Sequence, residues 1–530
     1  MSARLRSKIL NSFQLRGFSL RSDASKYLLE LLEPLEEDRR TAWTNNILTW
    51  LQEQRLESAL VGQQTLAKCI QEWSSQGDDD SRSHEVTVVD AFQLSPLSFC
   101  TLTRSVDRKK FLPRDGGCSP KLFGDADSKA FLFQERYRLV LQKTARHPCF
   151  AIKTCRASSS EETGSSFELR NVEQLLGTIS QRVVVLGMLT QFEQGKYFLE
   201  DTTGSVEVDI SKATFTEGLF TESSFVLAEG LYEDSVFRIE AIGLPPIEPA
   251  SETLKYLGHT TVFSKLPEKV RTRLELEDLP PDAMMVFLSD VWLDSAKVLD
   301  KLRVLFAGYS QAPPTCFVLA GNFLSRPMGT RKDAALLSEC FKKLADLVSE
   351  FPQLLERSQF VLLPGPMDPG LSNILPRPGL PRTLVAEFTK KVSRCHLASN
   401  PCRLLLGGRE VVLFREDGVA RACRNALHLP WQKGGLDVPQ LYTKSLASNA
   451  HLCPLNLGVS PVYWEWDFAL WLLPLPDAVA LADSHDPFSV VQADCLFFNP
   501  GSFPKTDFSF KVYLPGSRTV EDSQISEDPF

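Results

Sequence analysis

The chain has 530 residues, of which 43% are hydrophobic and 23% are charged, and its formal net charge is −8. This length and composition exclude an intrinsically disordered chain and a single small domain, and they predict two to four globular domains. A net negative charge repels phosphate, so it disfavours general nucleic-acid binding by the chain as a whole.

The twelve cysteines contain no CxxC pair. Structural zinc sites usually take two ligands from one tight turn, so we expect reduced, buried thiols, no cofactor and no bound metal. The first residues, MSARLRSKIL, lack the long apolar stretch of a secretory signal. No uncharged run approaches the roughly 20 apolar residues that a membrane span needs. These features predict a reducing compartment, the cytosol or the nucleus, and no membrane contact.

Residues 1–75 predict a small helical module. Apolar residues recur there at helical spacing in four runs, and Ser22 followed by Asp23 is typical of a helix start. The polar run Gly77–Ser81 predicts a solvated linker, so we expect the module to be separable. The four apolar runs are Leu5, Ile9, Leu10 and Phe13; Tyr27, Leu28, Leu31 and Leu32; Trp43, Ile47, Trp50 and Leu51; and Leu66, Ile70 and Trp73.

Basic residues are concentrated at the start of this module. Arg4, Arg6 and Lys8 all precede the first acidic residue, Asp23. They fit a basic face that contacts DNA or an acidic partner, although such a charge pattern more often belongs to a solvated helix face.

Residues 76–164 predict a linker that contains one helical segment, Phe131–Leu141. From 165 to 250 the periodicity changes to that of strands, because Val206 and Val208 alternate with Glu207 and Asp209. Further short apolar runs, among them one from 183 to 186 that ends at Gly187, complete about five strands. This arrangement predicts a small OB-fold barrel.

Between residues 284 and 515 buried strands alternate with helices. This alternation predicts an α/β sandwich with polar loops at the carboxyl ends of its strands. Residues 516–530 predict a C-terminal tail. The first predicted elements of the sandwich are strands at 284–288, 316–320 and 360–363 and helices at 295–306 and 336–348.

The loops after these strands resemble the metal-binding loops of calcineurin-like phosphoesterases. That family holds two metal ions above its strand ends with Asp, Asn and His ligands, so that a bound water ionises near neutral pH. The corresponding positions in this chain are Asp290, Trp292, Asn322, Pro366, Met367, Asp368, Arg415, Asp483 and His485.

Most of the required ligands are replaced. Asp290, Asn322 and His485 alone are too few to hold two metal ions. A positive side chain at 415 would also repel a divalent cation. We therefore expect a retained scaffold without catalytic residues, in which His485 is structural. The replaced ligand positions are Trp292, Pro366, Met367 and Arg415, and the remaining Asn322 stands where the bridging Asp should be.

Three further segments resemble recurring motifs of the B-subunit family of replicative DNA polymerases. They are Tyr197–Asp201, Phe287–Asp294 and Phe498–Phe503, and Lys26-Tyr27-Leu28 in the helical module points to the epsilon branch of that family. The resemblance implies a multidomain α+β fold. Its parts are an N-terminal helical module like the lid of AAA+ proteins, an OB-fold barrel, and a calcineurin-like phosphoesterase sandwich that lacks its metal site.

The same resemblance implies a non-catalytic scaffold subunit that acts in the nucleus in DNA replication. It implies binding to the C-terminal cysteine-rich zinc module of the polymerase catalytic subunit, and a link from that enzyme to the replicative helicase. Small histone-fold polymerase subunits are further candidate partners. DNA contact is expected to be weak or indirect.

Two alternatives come from other functional classes. The first is single-stranded DNA binding by the barrel through Phe192, Tyr197 and Phe198, which requires exposed aromatics beside basic residues. The second is a residual metal-dependent phosphoesterase. Residues 193–240 hold eleven Asp and Glu against three Lys and Arg, which opposes the first.

The aromatic segment from 462 to 471 admits two interpretations. Aromatic side chains dominate binding hot spots, and they also fill sheet cores. As a docking surface this segment would present Tyr463, Trp464, Trp466 and Trp471.

Overall fold

A computed structural model describes residues 9–14, 17–32, 44, 47–48, 51, 60–63, 65–66, 85–94, 102–105, 110–113, 120–150, 167–178, 181–257, 279–280, 282–370, 373–428 and 437–525. The chain divides into two compact units. The first comprises Met1–Thr87, Leu266–Asp282 and Leu405–Arg409, and the second comprises Val88–Lys265, Ala283–Leu404 and Glu410–Phe530. Within the described ranges, the helices are all too short or too polar to cross a membrane.

The helices predicted at 295–306 and 336–348 are confirmed, with shifted ends. The second begins five residues earlier than predicted, because the side chains of Thr330 and Asp333 form a capping box that satisfies first-turn amides. Within the described ranges the helices are α1 (Ser22–Leu32), α2 (Ala126–Arg146), α3 (Ala250–Leu257), α4 (Ala296–Tyr309), α5 (Arg331–Ser349), α6 (Pro352–Arg357), α7 (Ala386–Lys391), α8 (Gly418–Arg424) and α9 (Val438–Asn449).

The first unit has its own apolar core. Residues 9–14 are helical, and strand β1 (Ser19–Leu20) pairs in parallel with β2 (Leu60–Val61) beside α1. Residues from the predicted apolar stripes are buried together in this core, which lends the module internal stability. The buried members are Ile9, Phe13, Ala24, Leu28, Leu32, Ile47, Leu48, Leu51, Val61 and Leu66.

The segment 76–164, predicted as a linker, is partly folded structure. It contributes β3 (Thr87–Asp90), the hairpin of β4 (Leu102–Ser105) with β5 (Lys110–Pro113), and α2. The predicted helix at 131–141 is confirmed, but it extends to 21 residues. Its start is fixed by the Asp125 carboxylate, which accepts a hydrogen bond from the Ser128 amide at 2.9 Å.

The barrel predicted for residues 165–250 is present. Val206 and Val208 point into its core while Glu207 and Asp209 do not, which confirms the predicted period of two. Its strands are β6 (Leu169–Arg170), β7 (Arg182–Glu193), β8 (Lys196–Glu200), β9 (Ser205–Asp209), β10 (Thr214–Phe215), β12 (Phe225–Glu233) and β13 (Val236–Gly243). Strand β11 (Phe220–Thr221) lies between β10 and β12 in the chain but belongs to another sheet. The strands of the barrel lie in the order β10-β13-β12-β7-β8-β9, with β6 beside β7. Parallel pairing of β13 with β9 closes the sheet into a barrel.

The prediction that a strand ends at Gly187 is wrong, since β7 continues through it to Glu193. A Cβ at position 187 would lie 2.6 Å from Leu199 Cγ. The glycine therefore makes room for the Leu199 side chain of the neighbouring strand β8 rather than ending the strand.

The α/β sandwich predicted for 284–515 consists of two sheets whose inner faces are buried. Its strands after β3 are β14 (Met285–Leu288), β15 (Cys316–Ala320), β16 (Gln359–Leu363), β17 (Cys395–Leu397), β18 (Cys402–Leu406), β19 (Arg409–Phe414), β21 (Ala478–Leu481), β22 (Phe488–Gln492), β23 (Cys495–Asn499), β24 (Ser509–Leu514) and β25 (Thr519–Gln524). One sheet has the order β17-β16-β15-β14-β24-β25 and packs against α4 to α7; the other has the order β22-β23-β21-β19-β18-β3 and packs against α8 and α9. Strands β14, β15, β16 and β17 are mutually parallel, as are β19, β21 and β23.

The segment 516–530, predicted as a tail, is not entirely a tail. Residues Thr519–Gln524 form β25, which pairs antiparallel with β24 from Ser509↔Gln524 to Leu514↔Thr519. A polar segment can join a sheet because an edge strand is held by its backbone hydrogen bonds while its side chains remain solvated. The mostly exposed side chains of β25 are therefore compatible with an edge strand.

Barrel and sandwich belong to one unit and contact each other directly. Strand β11 (Phe220–Thr221) of the barrel region pairs antiparallel with β20 (Ala426–His428). The Phe225 amide donates to Asn449 Oδ1 at 2.8 Å, and the Leu219 amide donates to Ser445 Oγ at 2.8 Å. Buried backbone groups of the barrel are thus satisfied by side chains of α9, as expected for domains that pack against each other.

Helix α2 adds a buried ion pair to this unit. Arg136 Nε donates to Asp467 Oδ2 at 2.9 Å, and the same carboxylate accepts from Trp471 Nε1 at 3.0 Å. Burial alone would raise the pKa of Asp467, but the charge of Arg136 holds it well below its usual value. His451 Nε2 lies 3.3 Å from Asp467 Oδ1. The side chains of Arg136, Trp471 and His451 therefore share one carboxylate as their hydrogen-bond partner.

A second cation of α2 is buried at the C-terminus of α9. Lys143 Nζ donates to the Ala447 carbonyl at 3.2 Å and to the Ser448 carbonyl. The last carbonyls of a helix lack helical partners, and a cation there also complements the helix dipole. Burial lowers the pKa of Lys143 from 10.5 to about 7.

The pKa of Lys143 predicts a specific pH dependence of stability. Between pH 7 and 10 the unfolded chain binds a proton at this residue that the folded chain has released. The free energy of unfolding therefore rises with pH by about 1.4 kcal/mol per unit through this residue, and the gain is lost as the pH falls to 7. In denaturant titrations across this range, Lys143→Met should show a shallower rise than the unsubstituted chain. Lys129→Met, at an exposed position of the same helix, should keep the full slope, and equal slopes for both variants would contradict the assignment.

Candidate functional site

The loops with degenerate ligand motifs meet at the carboxyl ends of the sandwich strands. Asp290 follows β14, Asn322 follows β15 and Asp368 follows β16, all in one parallel set. Arg415 follows β19 and Asp483 follows β21 in the other sheet. Parallel strands bring their carboxyl ends to one edge, which is where ligand sites of such folds lie.

Arg415 occupies the centre of this edge and is 0% exposed. Its Nη2 lies 2.8 Å from Asp290 Oδ1, its Nη1 lies 2.9 Å from Asp417 Oδ1, and its Nε donates to the Gly321 carbonyl at 2.6 Å. Burial alone would lower the pKa of Arg415, but Asp290 and Asp417 raise it above its usual value. The residue is therefore a permanent buried cation, and each of its three guanidinium nitrogens donates a hydrogen bond.

The backbone of Arg415 is held as firmly as its side chain. Its amide donates to Asn400 Oδ1 at 3.0 Å, and Asn400 Nδ2 donates to the Arg415 carbonyl at 2.7 Å. The same Nδ2 also donates to the Pro364 carbonyl at 3.0 Å. Asn400 thereby ties the loop after β16 to the loop after β19, and rotation of Arg415 out of the site would break these bonds.

Asp290 and Asn322 satisfy each other. Asp290 Oδ1 accepts from both the Asn322 amide at 3.2 Å and Asn322 Nδ2 at 3.1 Å, and Asn322 Oδ1 accepts from the Met367 amide at 2.8 Å. Asp290 has a φ of 56°, a conformation that Asp tolerates better than most residues. An ionised Asp in place of Asn322 could not donate to Asp290, so the replacement fits a site without metal.

Asp368 is another carboxylate used by backbone amides. It accepts from the Phe323 amide and from the Gly365 amide, each at 2.8 Å. The residue as a whole is half-buried, but burial of its carboxylate raises the pKa to about 6. A Cβ on Gly321 would lie 1.8 Å from Asp368 Oδ2, so this contact requires a glycine.

Asp483 and His485 both make hydrogen bonds with backbone groups. Asp483 accepts from the Val419 amide at 3.0 Å and from the His485 amide at 2.9 Å, and burial raises its pKa. His485 Nδ1 lies 3.1 Å from the Asp486 carbonyl. His485 is thus engaged through its backbone amide and one ring nitrogen, and its structural role stays a prediction.

Trp292, Pro366 and Met367 do not bring ligand atoms to the site. Trp292 is half-buried, packs against the core of the first sheet and lies under Lys505, whose Nζ is 5.5 Å from the ring centre. Pro366 and Met367 are half-buried in the loop after β16. Within the described ranges, groups of three or more His, Cys, Asp or Glu side chains suited to a metal ion are absent.

Three residues of this network were not predicted from the sequence: Gly321, Asn400 and Asp417. Asn400 acts through a side-chain amide that the phosphoesterase pattern does not contain, whereas Gly321 directly precedes the motif position Asn322 and contributes its carbonyl. Asp417 follows Arg415 by two positions after a buried strand, and this spacing was the available signal.

The predicted aromatic docking surface is wrong for three of its four residues. Tyr463, Trp466 and Trp471 are buried, and Trp464 is half-buried. The 3₁₀ helix Trp464–Leu470 turns these rings inward, where Trp466 packs edge-on against Phe92 with centroids 4.9 Å apart. The predicted basic residues Arg4, Arg6 and Lys8 lie outside the described residues.

Tyr197 and Phe198 do not meet the condition for base stacking on the barrel, whereas Phe192 is exposed. Tyr197 packs half-buried against the barrel core, and Phe198 is half-buried directly opposite Glu207. A carboxylate beside the ring disfavours the phosphate backbone of single-stranded DNA.

Three family models match the chain. The model of the OB-fold domain of DNA polymerase epsilon subunit 2-like proteins matches residues 126–246, and that of the B subunits of DNA polymerases alpha and epsilon matches 285–490. The model of the DNA polymerase epsilon N terminus matches 1–73. DNA polymerase epsilon subunit 2 of Bos taurus is 44% identical over 530 residues and covers 98% of this chain and 99% of its own length. The chain belongs to the DNA polymerase epsilon subunit 2 family.

Other relatives extend this membership, and the family predicted from the sequence is confirmed. The Homo sapiens subunit 2 is 43% identical over 98% of this chain and 99% of its own length, and the Drosophila melanogaster subunit 2 is 37% identical over 99% of this chain and 98% of its own length. The family places the chain among second subunits of the replicative polymerase epsilon. An archaeal phosphodiesterase structure covers 46% of this chain and 99% of its own length at 10% identity, with a TM-score of 0.26 that establishes no common fold.

The buried Arg415 contacts predict a large loss of stability on truncation. Arg415→Ala leaves Asp290 buried without its cation, which costs about 3–5 kcal/mol of unfolding free energy. Chemical denaturation of the full chain measures this loss. Arg303→Ala is the control, because Arg303 makes a bidentate pair with Glu350 at the exposed surface and its removal should change little. A loss no larger for Arg415→Ala than for Arg303→Ala would contradict the assigned role.

Proposed function

We propose that the chain is a non-catalytic scaffold subunit of the DNA polymerase epsilon complex in the nucleus. It binds the C-terminal cysteine-rich zinc module of the catalytic subunit across its barrel and sandwich, and it links that enzyme to the replicative helicase. The observation that carries this proposal is the Arg415 network: the edge where a phosphoesterase holds its metals is filled by a guanidinium whose three nitrogens each donate to a protein oxygen.

The direct joint between barrel and sandwich supports binding across both domains. Backbone amides of residues 219–225 are satisfied by Ser445 and Asn449, and α2 adds the Arg136–Asp467 pair. Two domains held in a fixed arrangement can present one extended surface without an ordering cost on binding. A scaffold benefits from such preorganisation, whereas a filled catalytic edge leaves no room for chemistry.

In this proposal the N-terminal module makes the contact with the replicative helicase. Its predicted likeness to the lid of AAA+ proteins and its basic start at Arg4, Arg6 and Lys8 support a protein-binding role separate from the main unit. Small histone-fold subunits are further proposed partners. The acidic balance of the barrel supports weak or indirect DNA contact.

Co-expression with the C-terminal module of the catalytic subunit tests the scaffold role. The full chain and a chain lacking residues 1–75 should both co-purify with that module, because the contact is assigned to the barrel and sandwich. Asn449→Ala removes the bond to the Phe225 amide and should reduce recovery of the module by loosening the joint. Asn456→Ala is the matched control, since the Asn456 side chain accepts from the Gly458 amide within its own exposed turn.

Two outcomes would overturn this assignment. One is a full chain that stays folded and does not recover the module. The other is a truncated chain that stays folded but no longer binds, which would move the contact to residues 1–75.

The loss of phosphoesterase activity is tested separately. The purified full chain should contain no stoichiometric divalent metal by elemental analysis, and added Mn²⁺ should give no turnover of a generic phosphodiester. A divalent ion would have to displace Arg415 from Asp290, which like-charge repulsion opposes. Two tightly bound ions per chain would refute the scaffold interpretation of the sandwich.

A further inference from the structure

The outer face of the barrel carries an aromatic pair that the barrel core does not use. Phe192, near the end of β7, is 64% exposed. Its ring centre lies 5.1 Å from that of Phe198 on β8, with the rings tilted by 54°. A large apolar side chain exposed to this extent beside a second ring differs from the singly scattered apolar residues of an ordinary surface.

Carboxylates surround this pair. Glu207 of β9 lies directly opposite Phe198, Glu193 follows Phe192 in the chain, and Glu200 lies two residues beyond Phe198 on β8. Burial raises the pKa of Glu200, consistent with its half-buried place on the strand. Lys196 is the basic residue nearest to the pair in the chain, and its Nζ lies 2.9 Å from Glu193 Oε2.

The adjoining strand end extends this negative region. Val236 of β13 pairs with Glu207, which places the turn containing Glu233 and Asp234 beside it. Arg238 there is engaged by the same turn, with its Nη1 2.7 Å from Glu233 Oε2. Lys196 and Arg238 are therefore both paired with acids, and the field around the rings stays negative.

The other half of the same outer face is already covered within the chain. Phe225 of β12 pairs with Met188 of β7, and its ring lies 6.0 Å from that of Tyr137 on α2. The outer face of this sheet thus packs against a helix at one end and is open at the end that carries Phe192. The open end therefore lies on the same face of the sheet as the Phe225 contact with α2.

We propose that the open end, formed by Phe192, Phe198, Glu193, Glu200 and Glu207, docks a segment of a partner protein rich in Lys and Arg. This surface is called the aromatic–acidic face. A guanidinium or ammonium stacks on an aromatic ring and pairs with a neighbouring carboxylate, and the two contacts reinforce each other. A nucleic acid offers bases to the same rings but brings phosphates to the carboxylates, which the charge opposes. The docking surface goes beyond the scaffold role and does not depend on it.

The test uses the full chain and a fluorescein-labelled peptide of alternating Arg and Gly, about a dozen residues long, as the probe. Fluorescence anisotropy at low salt measures its affinity, and labelled oligothymidylate of the same length serves as the counter-probe. Phe192→Ala should weaken peptide binding about two- to fivefold through loss of the cation–π contact. Glu193→Gln should weaken it by up to about fivefold through loss of one exposed ion pair.

Matched control variants separate a local site from the overall charge of the chain. Phe123→Ala removes an exposed ring elsewhere, one that is 78% exposed. Glu339→Gln removes an acid whose pairing with Lys342 three residues on repeats that of Glu193 with Lys196. Both controls should bind the peptide as the unsubstituted chain does.

Three results would overturn the proposal. The first is equal weakening by Glu193→Gln and Glu339→Gln, which indicates binding through net charge alone. The second is unchanged affinity in Phe192→Ala. The third is tighter binding of oligothymidylate than of the peptide, which would return the barrel to the nucleic-acid-binding class.

Discussion

The fold of the sandwich depends on one buried ion pair, that of Arg415 with Asp290. Arg415 belongs to one sheet and Asp290 to the other, so the pair joins the two layers at the edge where a catalytic phosphoesterase would place metal ions. A buried charge is tolerated only when its donors or acceptors are matched. Asp417 accepts from the same guanidinium, Asn322 donates to Asp290, and Asn400 holds the backbone of Arg415 in place.

The same rule governs the joint between barrel and sandwich. Helix α2 buries Arg136 and Lys143, and both find acceptors on the sandwich: the Asp467 carboxylate and the last carbonyls of α9. Removing either partner of such a contact leaves an uncompensated polar group, so these contacts specify one docking geometry rather than a range of them. The stability gained by a buried pair is modest, whereas the penalty for any alternative arrangement is large.

Periodicity predicted the elements well because it records local burial. The alternation of Val206, Glu207 and Val208 and the apolar stripes of the first unit needed no tertiary knowledge. The strand end predicted at Gly187 was wrong, because the sequence does not distinguish a glycine that makes room for a neighbouring side chain from one that ends a strand. The docking surface predicted at 463–471 was also wrong for most of its aromatic residues. Their burial depends on elements that are distant in the chain, such as Phe92. Arg415 could be singled out by motif, but its partner Asn400 carries no signal of its own, and its contact with Gly321 joins positions that are distant in the chain.

The strand ends of the sandwich are occupied by contacts within the chain. Carboxylates that would coordinate cations now accept from a guanidinium and from backbone amides, so the edge is rigid and closed. Apart from this edge, the unit has exposed outer surfaces. The barrel offers such a surface where α2 stops covering its sheet: beyond Phe225 the outer face carries Phe192 among carboxylates, with Lys196 already paired. Buried charges of this unit are paired within the chain, whereas the acidic residues around Phe192 outnumber the basic ones. An exposed aromatic surface with a net negative charge is complementary to a positively charged peptide segment.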